Sequence, residues 1–201
     1  MKAFFFWMLL YGAAYNLTVL IFPNDEITVA AMCIYTAVLI FYYLRKGNTK
    51  GQSFVFTKVK ALFTLLLFGF FLLNLIYFNG ISLSFSLLSA LLGAVCEEIL
   101  FRGFLLSSLR KKGVLASVLL SALTFAAYHL LGGGVLQAVC AFSVGIAFSL
   151  YTIKYDSLFF CILAHLLINL TGDAGINTVS ALICSAVTVI CGYFLFRTKE
   201  K

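Results

Sequence analysis

The feature that most constrains this chain is a series of apolar runs, each about 20 residues long, separated by short polar breaks. An α-helix of that length crosses the hydrocarbon core of a bilayer. Of the 201 residues, 63% are hydrophobic and 10% are charged, and the mean hydropathy is +1.10. A soluble domain of this size could not bury so much apolar surface. We therefore predict an all-α, polytopic transmembrane helical bundle.

The runs predict about eight spans in a single integral membrane domain, residues 1–201. They lie near residues 4–22, 27–44, 61–78, 83–106, 114–131, 135–153, 157–171 and 177–196. The first run begins like a signal peptide but continues to Phe22, which favours an uncleaved first helix. We expect the bundle to enclose an intramembrane catalytic cavity, open to the cytoplasm or laterally to lipid.

The basic residues alternate between breaks as they do in a multi-pass membrane protein. They cluster in every second break and in both terminal segments, while the opposite breaks contain none. If the amino terminus is cytoplasmic, every basic residue except Arg102 lies on the cytoplasmic side. We predict a multi-pass cell membrane protein with cytoplasmic amino and carboxyl termini and with membrane lipids as partners. The net charge of +7 then reflects topology and does not indicate nucleic acid.

Five ionisable side chains lie inside the predicted spans, where burying a charge costs about 3 kcal/mol. Glu97, Glu98 and Arg102 are in the fourth span, His129 is late in the fifth, and His165 is in the seventh. The chain has two histidines in all, and both belong to this group. Intramembrane ionisable residues usually have a function, so we predict that the five form one site.

Helical spacing assigns different surroundings to the two adjacent glutamates. Glu98 and Arg102 are four residues apart and can form an ion pair on one face of the helix. Glu97 is turned by about 100° from Glu98 and has no cation three or four residues away. We expect its carboxylate to face a histidine from another helix.

The other polar side chains are also spaced by one helical turn. His165 and Asn169 share a face, and Phe125 lies one turn before His129. A carboxylate beside a neutral imidazole can take a proton from water, and paired donors can stabilise the oxyanion of a tetrahedral intermediate. These parts suit a peptide hydrolase, although a single buried Asn or His often serves only to bond helices together.

Three short motifs resemble those of a known family. They are Glu97 to Arg102 (EExxxR), Phe125 to His129 (FxxxH) and His165 to Asn169 (HxxxN). In this order they resemble the CPBP family, which comprises type II CAAX prenyl proteases and the bacteriocin-processing or bacteriocin-immunity proteins of the Abi group. The resemblance covers roughly residues 83–171 and departs from no motif position.

The resemblance implies an intramembrane endopeptidase that cleaves hydrophobic or lipidated peptides near the carboxyl end. It implies that Glu97 and His129 activate the attacking water, and that His165 and Asn169 form the oxyanion hole. No metal is required in this mechanism.

Three further residues support the implied site. The resemblance assigns Glu98 and Arg102 to holding the helix, and Phe125 belongs to the FxxxH motif.

Other functions share the same residues. Glu97, His129 and His165 could instead bind zinc in a membrane metalloprotease, but no HExxH pair is present to preorganise two ligands on one helix. A non-catalytic membrane scaffold or immunity protein could carry intact motifs. A transporter would also bury such groups, but it should show paired broken helices or repeated halves.

Straight, upright helices would not bring this site together. They would hold Glu97 and His129 about 10 Å apart in depth. We therefore expect these helices to tilt strongly or to bend, and the glycines at 132–134 would permit a bend.

Overall fold

The computed structural model describes residues 1–21, 25–45 and 87–170, together with the isolated helical residues 185, 186, 189, 190 and 192. Every regular element in these ranges is helical, which confirms the all-α prediction for the described part of the chain. Two of the predicted spans lie outside the described residues: 61–78 entirely, and 177–196 except for the isolated residues.

Five main helices make up the described structure. They are α1 (Lys2–Ile21), α2 (Asp25–Arg45), α3 (Leu87–Glu98), α4 (Val114–Tyr155) and α5 (Phe159–Leu170). Among the described helices, Ile27–Arg45 in α2 and the whole of α4 are long and apolar enough to cross a membrane. The total of eight spans remains a prediction.

Helix α3 continues beyond Glu98 as a π-helix, Ile99–Leu106. The short helical turns Ser107–Leu109 and Arg110–Lys112 follow. A π-helix has a wider turn than an α-helix and is often found at functional sites. The predicted fourth span is therefore one rod whose helical geometry changes just after the paired glutamates.

Helix α4 is bent back on itself at Gly134, whose φ of 78° and ψ of −173° are not helical. A positive φ is easily adopted by glycine. A methyl group added to Gly145 would lie 3.1 Å from the Cα of Ala122, although a straight helix would separate these residues by about 35 Å. The glycine break predicted between spans 114–131 and 135–153 is thus a tight turn between two packed halves.

An aromatic layer joins α1 and α2 to the π-helix. The rings of Phe4 and Phe101 meet edge to face with centroids 5.5 Å apart. Trp7 and Tyr35 meet in the same way at 5.7 Å, and the Tyr35 hydroxyl donates to the Trp7 carbonyl at 2.8 Å. Such aromatic pairs add to the stabilisation from burial alone, so this layer fixes α1 beside the rod formed by α3 and the π-helix.

On its other sides, this rod is packed against α4 and α5. Ser121 of α4 donates its hydroxyl to the carbonyl of Phe101 in the π-helix at 3.3 Å. The second half of α4 packs against α5 through Phe148, Tyr151 and Cys161. The end of α3 therefore lies at the centre of the bundle, within reach of three other helices.

Candidate active site

The glutamates predicted to be functional lie at the last two positions of α3, immediately before the π-helix. Glu98 and Arg102 are almost fully buried, and Glu97 is 9% exposed. Charges buried to this extent need partners, because water no longer solvates them.

Glu98 has two partners, one of which sequence spacing predicted. Arg102 Nη1 donates to Glu98 Oε1 at 3.0 Å, four residues along the rod. His165 Nδ1 lies 2.8 Å from the same oxygen. A carboxylate oxygen paired with a guanidinium is an acceptor, so the imidazole is the donor in this contact. Glu98 therefore orients a side chain of α5 as well as pairing within its own helix.

The Arg102 guanidinium is enclosed by aromatic rings. Its central carbon lies 4.2 Å from the centroid of the Phe125 ring and 5.4 Å from that of Phe148. The faces of aromatic rings attract cations, and the attraction is strongest away from water. Phe125 thus supports the ion pair, as does Phe148, which the sequence did not single out because it lies in an unbroken apolar run.

Glu97 faces both histidines, in agreement with the expectation that its carboxylate looks to another helix. Its Oε2 atom lies 3.6 Å from Nε2 of His129 and 3.6 Å from Nε2 of His165. Both separations exceed the length of a direct hydrogen bond. Oε2 is buried and has no hydrogen-bond partner among the described residues. One carboxylate oxygen therefore lies between two imidazole nitrogens from different helices.

The opposite ring nitrogens determine what those imidazoles can offer. His129 Nδ1 lies 3.0 Å from the Phe125 carbonyl oxygen, which can only accept, so Nδ1 is the donor. His165 Nδ1 donates to Glu98. When neutral, both rings thus direct an Nε2 lone pair toward Glu97. Three acceptors then face one another, an arrangement suited to taking a proton from a molecule placed among them.

Phe125 holds this group together through both its ring and its backbone. The ring centroid lies 4.3 Å from that of His129 and 5.9 Å from that of His165, with edge-to-face geometry in both cases. Tyr128, inside the same FxxxH segment, contacts His129 at 5.2 Å. Its place next to the histidine was the signal that could have identified it.

Asn169 is bonded to the backbone of α3. Its Nδ2 donates to the Ala90 carbonyl at 3.2 Å, two turns before Glu97 on α3. The same nitrogen lies 3.6 Å from where a methyl group on Gly93 would be. Asn169 therefore bonds α5 to α3. Gly93 and Glu97 are one turn apart, so this bond lies on the face of α3 that carries Glu97.

The depth difference expected of straight helices is not observed. Glu97 and His129, expected about 10 Å apart on upright helices, have side-chain atoms 3.6 Å apart. The chain reverses at Gly113, which lies midway between these two residues in sequence. Because the first half of α4 then runs back along the π-helix, with Ser121 and Phe125 against Phe101, His129 reaches the end of α3.

Two histidines and a glutamate are the donor types of a catalytic zinc site. As they stand, however, no group of three or more His, Cys, Asp or Glu side chains within the described ranges could hold a metal ion. Both the metal-free mechanism and the zinc alternative stay predictions.

Residues 78–171 match the type II CAAX prenyl endopeptidase Rce1-like family. The matched segment contains all three motifs and nearly coincides with the predicted core, 83–171. Comparisons with curated proteins and with solved structures give no match. The family implies a membrane-embedded protease, which agrees with the two apolar helices long enough to span a bilayer. The resemblance carried by the motifs is thus confirmed: residues 78–171, just under half of the chain, are similar to the type II CAAX prenyl endopeptidase Rce1-like family.

Proposed function

We propose that this protein is an intramembrane endopeptidase that hydrolyses hydrophobic or lipidated peptides with water activated by Glu97 and His129. The observation that carries the proposal is the position of Glu97 Oε2, 3.6 Å from Nε2 of both histidines. Both Nδ1 atoms are engaged elsewhere. The atoms that can accept a proton from water, Glu97 Oε2 and the Nε2 atoms of neutral histidines, therefore all lie on the side of the site where they face one another.

In the first step, the water gives a proton to the Glu97 and His129 pair while its oxygen forms a bond to the peptide carbonyl carbon. Glu97 suits this role because no cation of its own helix neutralises it, in contrast to Glu98. General-base catalysis of this kind contributes about 10²-fold to 10⁴-fold in rate.

In the second step, the negative oxygen of the tetrahedral intermediate needs donors. His165 can supply one when its ring is protonated, because both ring nitrogens are then donors and Nδ1 is already bonded to Glu98 at 2.8 Å. The amide nitrogen of Asn169 bears two N–H groups, so its bond to Ala90 leaves a second donor. The carbon–nitrogen bond then breaks, and the proton held by Glu97 and His129 passes to the leaving amine.

The substrate class follows from the apolar surroundings and the family. Large apolar side chains are exposed around the bend of α4, including Leu131 and Val135, and at the start of α3, including Leu87. A water-soluble peptide would have little to bind there, whereas an apolar or prenylated peptide partitions into the same layer. The family's description names type II CAAX prenyl endopeptidases, so we propose prenylated peptides and unmodified hydrophobic peptides as the two substrates to compare.

The experiment is cleavage of quenched-fluorescence peptides by the purified protein in detergent, with and without a farnesylated cysteine. Glu97→Gln should lower kcat/KM by about 10²-fold to 10⁴-fold. Asp156→Asn is the matched control, since it makes the same change in a partly exposed carboxylate that pairs with Arg110. It should keep the wild-type rate.

Each reaction is repeated with a zinc chelator. A wild-type rate that the chelator leaves unchanged supports the glutamate mechanism, and a rate lost in chelator and restored by zinc favours the metalloprotease. Equal rates for wild type and Glu97→Gln would remove Glu97 from the mechanism. An absence of cleavage of both peptide classes would favour the scaffold or immunity protein.

A further inference from the structure

Helix α1 lies outside the matched segment 78–171, yet it brings a tyrosine to the candidate active site. Tyr11 is buried in the aromatic core, and its ring lies 5.5 Å from that of Tyr35. Tyr128 packs against the same aromatic core, and a hydrogen bond joins the Tyr11 and Tyr128 side chains. A residue from outside the family core therefore contacts the segment that carries His129.

The partner of Tyr11 is in direct contact with that histidine. The Tyr128 ring meets the His129 ring edge to face at 5.2 Å and the Phe101 ring at 5.9 Å. The His129 ring also meets the Phe125 ring, at 4.3 Å. Two aromatic rings thus contact the imidazole, and the hydroxyl of one of them, Tyr128, is bonded to α1.

His129 depends on this lateral support more than His165 does. The His129 side chain is 15% exposed and the His165 side chain 5%. His165 is anchored by a charge-assisted hydrogen bond to Glu98, whereas His129 has a neutral bond to a backbone carbonyl. Charge-assisted hydrogen bonds are about twice as strong as neutral ones.

We propose that Tyr11 is a positioning residue for the Glu97 and His129 pair, acting through Tyr128. Its hydroxyl holds the Tyr128 ring against the imidazole, so that Nε2 of His129 stays directed at the Glu97 carboxylate and α1 forms part of the active site. The effect on catalysis rests on the proposed function, whereas the effect on His129 itself does not.

The kinetic test compares Tyr11→Phe, Tyr128→Phe and the double variant. Each single variant should lower kcat about fivefold to tenfold with KM nearly unchanged, since one buried hydrogen bond is lost. The double variant should be no slower than the slower single variant, because the two hydroxyls act as one unit. Tyr35→Phe, which removes a buried hydroxyl bonded to the Trp7 carbonyl, is the matched control and should keep the wild-type kcat. Multiplying effects in the double variant would overturn the proposal.

A second measurement needs no activity. The chain has two histidines, so protein labelled with ¹⁵N-histidine gives two sets of ring signals, assigned by His129→Gln. Tyr11→Phe should shift or broaden the His129 signals and leave those of His165 in place, and Tyr35→Phe should change neither. Unchanged His129 signals in Tyr11→Phe would overturn the inference even if peptides are cleaved. If no peptide is cleaved, the proposed function fails while the spectra still decide the role of Tyr11.

Discussion

Adjacent in sequence, Glu97 and Glu98 occupy opposite kinds of environment on two sides of α3. Glu98 is fully buried, and its Oε1 atom is bonded to Arg102 at 3.0 Å and to His165 at 2.8 Å. Glu97 is slightly exposed, and its Oε2 atom contacts two imidazole nitrogens only at 3.6 Å. Oε2 of Glu98, like that of Glu97, has no hydrogen-bond partner among the described residues, so the difference lies in the two charge-assisted bonds at Glu98 Oε1. A carboxylate held by such bonds is a structural anchor, whereas one without strong donors is available as a base. This difference is why we propose that Glu98 builds the site and Glu97 performs the chemistry.

The largest effect should come from removing the cation beside Glu98. Arg102→Leu leaves Glu98 as a buried charge with the His165 imidazole as its remaining partner, and it should lower the free energy of unfolding by about 3 to 5 kcal/mol. Arg110→Leu is the matched control: it breaks the pair with Asp156, whose side chains are 39% and 32% exposed. Such surface pairs contribute about 0 to 1 kcal/mol.

Both variants can be followed by unfolding in detergent with the fluorescence of the chain's one tryptophan, Trp7. Equal losses in the two arginine variants would mean that Glu98 does not depend on Arg102 as an anchor.

The next effect separates the two glutamates directly. Glu98→Gln weakens two hydrogen bonds to a charged acceptor and should cost about 1.5 to 3 kcal/mol of stability. Glu97→Gln should change the free energy of unfolding by less than about 0.5 kcal/mol, because Oε2 has no hydrogen bond to lose. The same unfolding measurement applies, and the opposite ranking would reverse the roles assigned to the two carboxylates.

The smallest effects concern two glycines, one before and one after the paired glutamates, and the space available to a methyl group at each. Gly103→Ala, in the π-helix beside Arg102, would place a methyl group 2.8 Å from Cε2 of the Tyr43 ring. This overpacking should cost about 1 to 3 kcal/mol. Gly93→Ala, one turn before Glu97, places its methyl group at an ordinary 3.6 Å from Asn169. It should stabilise the helix by about 0.5 to 1 kcal/mol.

The two glycine variants form a matched pair, compared by their unfolding temperatures. A destabilised Gly93→Ala together with an unaffected Gly103→Ala would show that the tightly packed side is the one that carries Glu97.

Much of the site was predictable because helical geometry is local. The spacing of Glu98 and Arg102 predicted their ion pair, and the turn between Phe125 and His129 predicted their contact. The glycines at 132–134 predicted where the chain bends. In each case the residues belong to one helix or one loop, so the period of 3.6 residues or a known backbone preference was sufficient.

Contacts between helices were only partly predictable. The burial of ionisable groups indicated that Glu97 would face a histidine, but not that both histidines would approach the same oxygen. The bond from His165 to Glu98 and that from Asn169 to Ala90 had no signal in the spacing. Each depends on how α5 is rotated against α3.

By itself the sequence determined that the described part of this protein is all-helical, that five ionisable groups are embedded in apolar runs, and which of them share a helix face. These properties follow from hydropathy and helical period, which act over a few residues. Only the tertiary structure decided that Glu98 bridges Arg102 and His165, that Glu97 lies between two imidazoles, and that Tyr11 reaches this site from α1. Those outcomes depend on the turns at Gly113 and Gly134 and on the π-helix, because distant segments pack together across them.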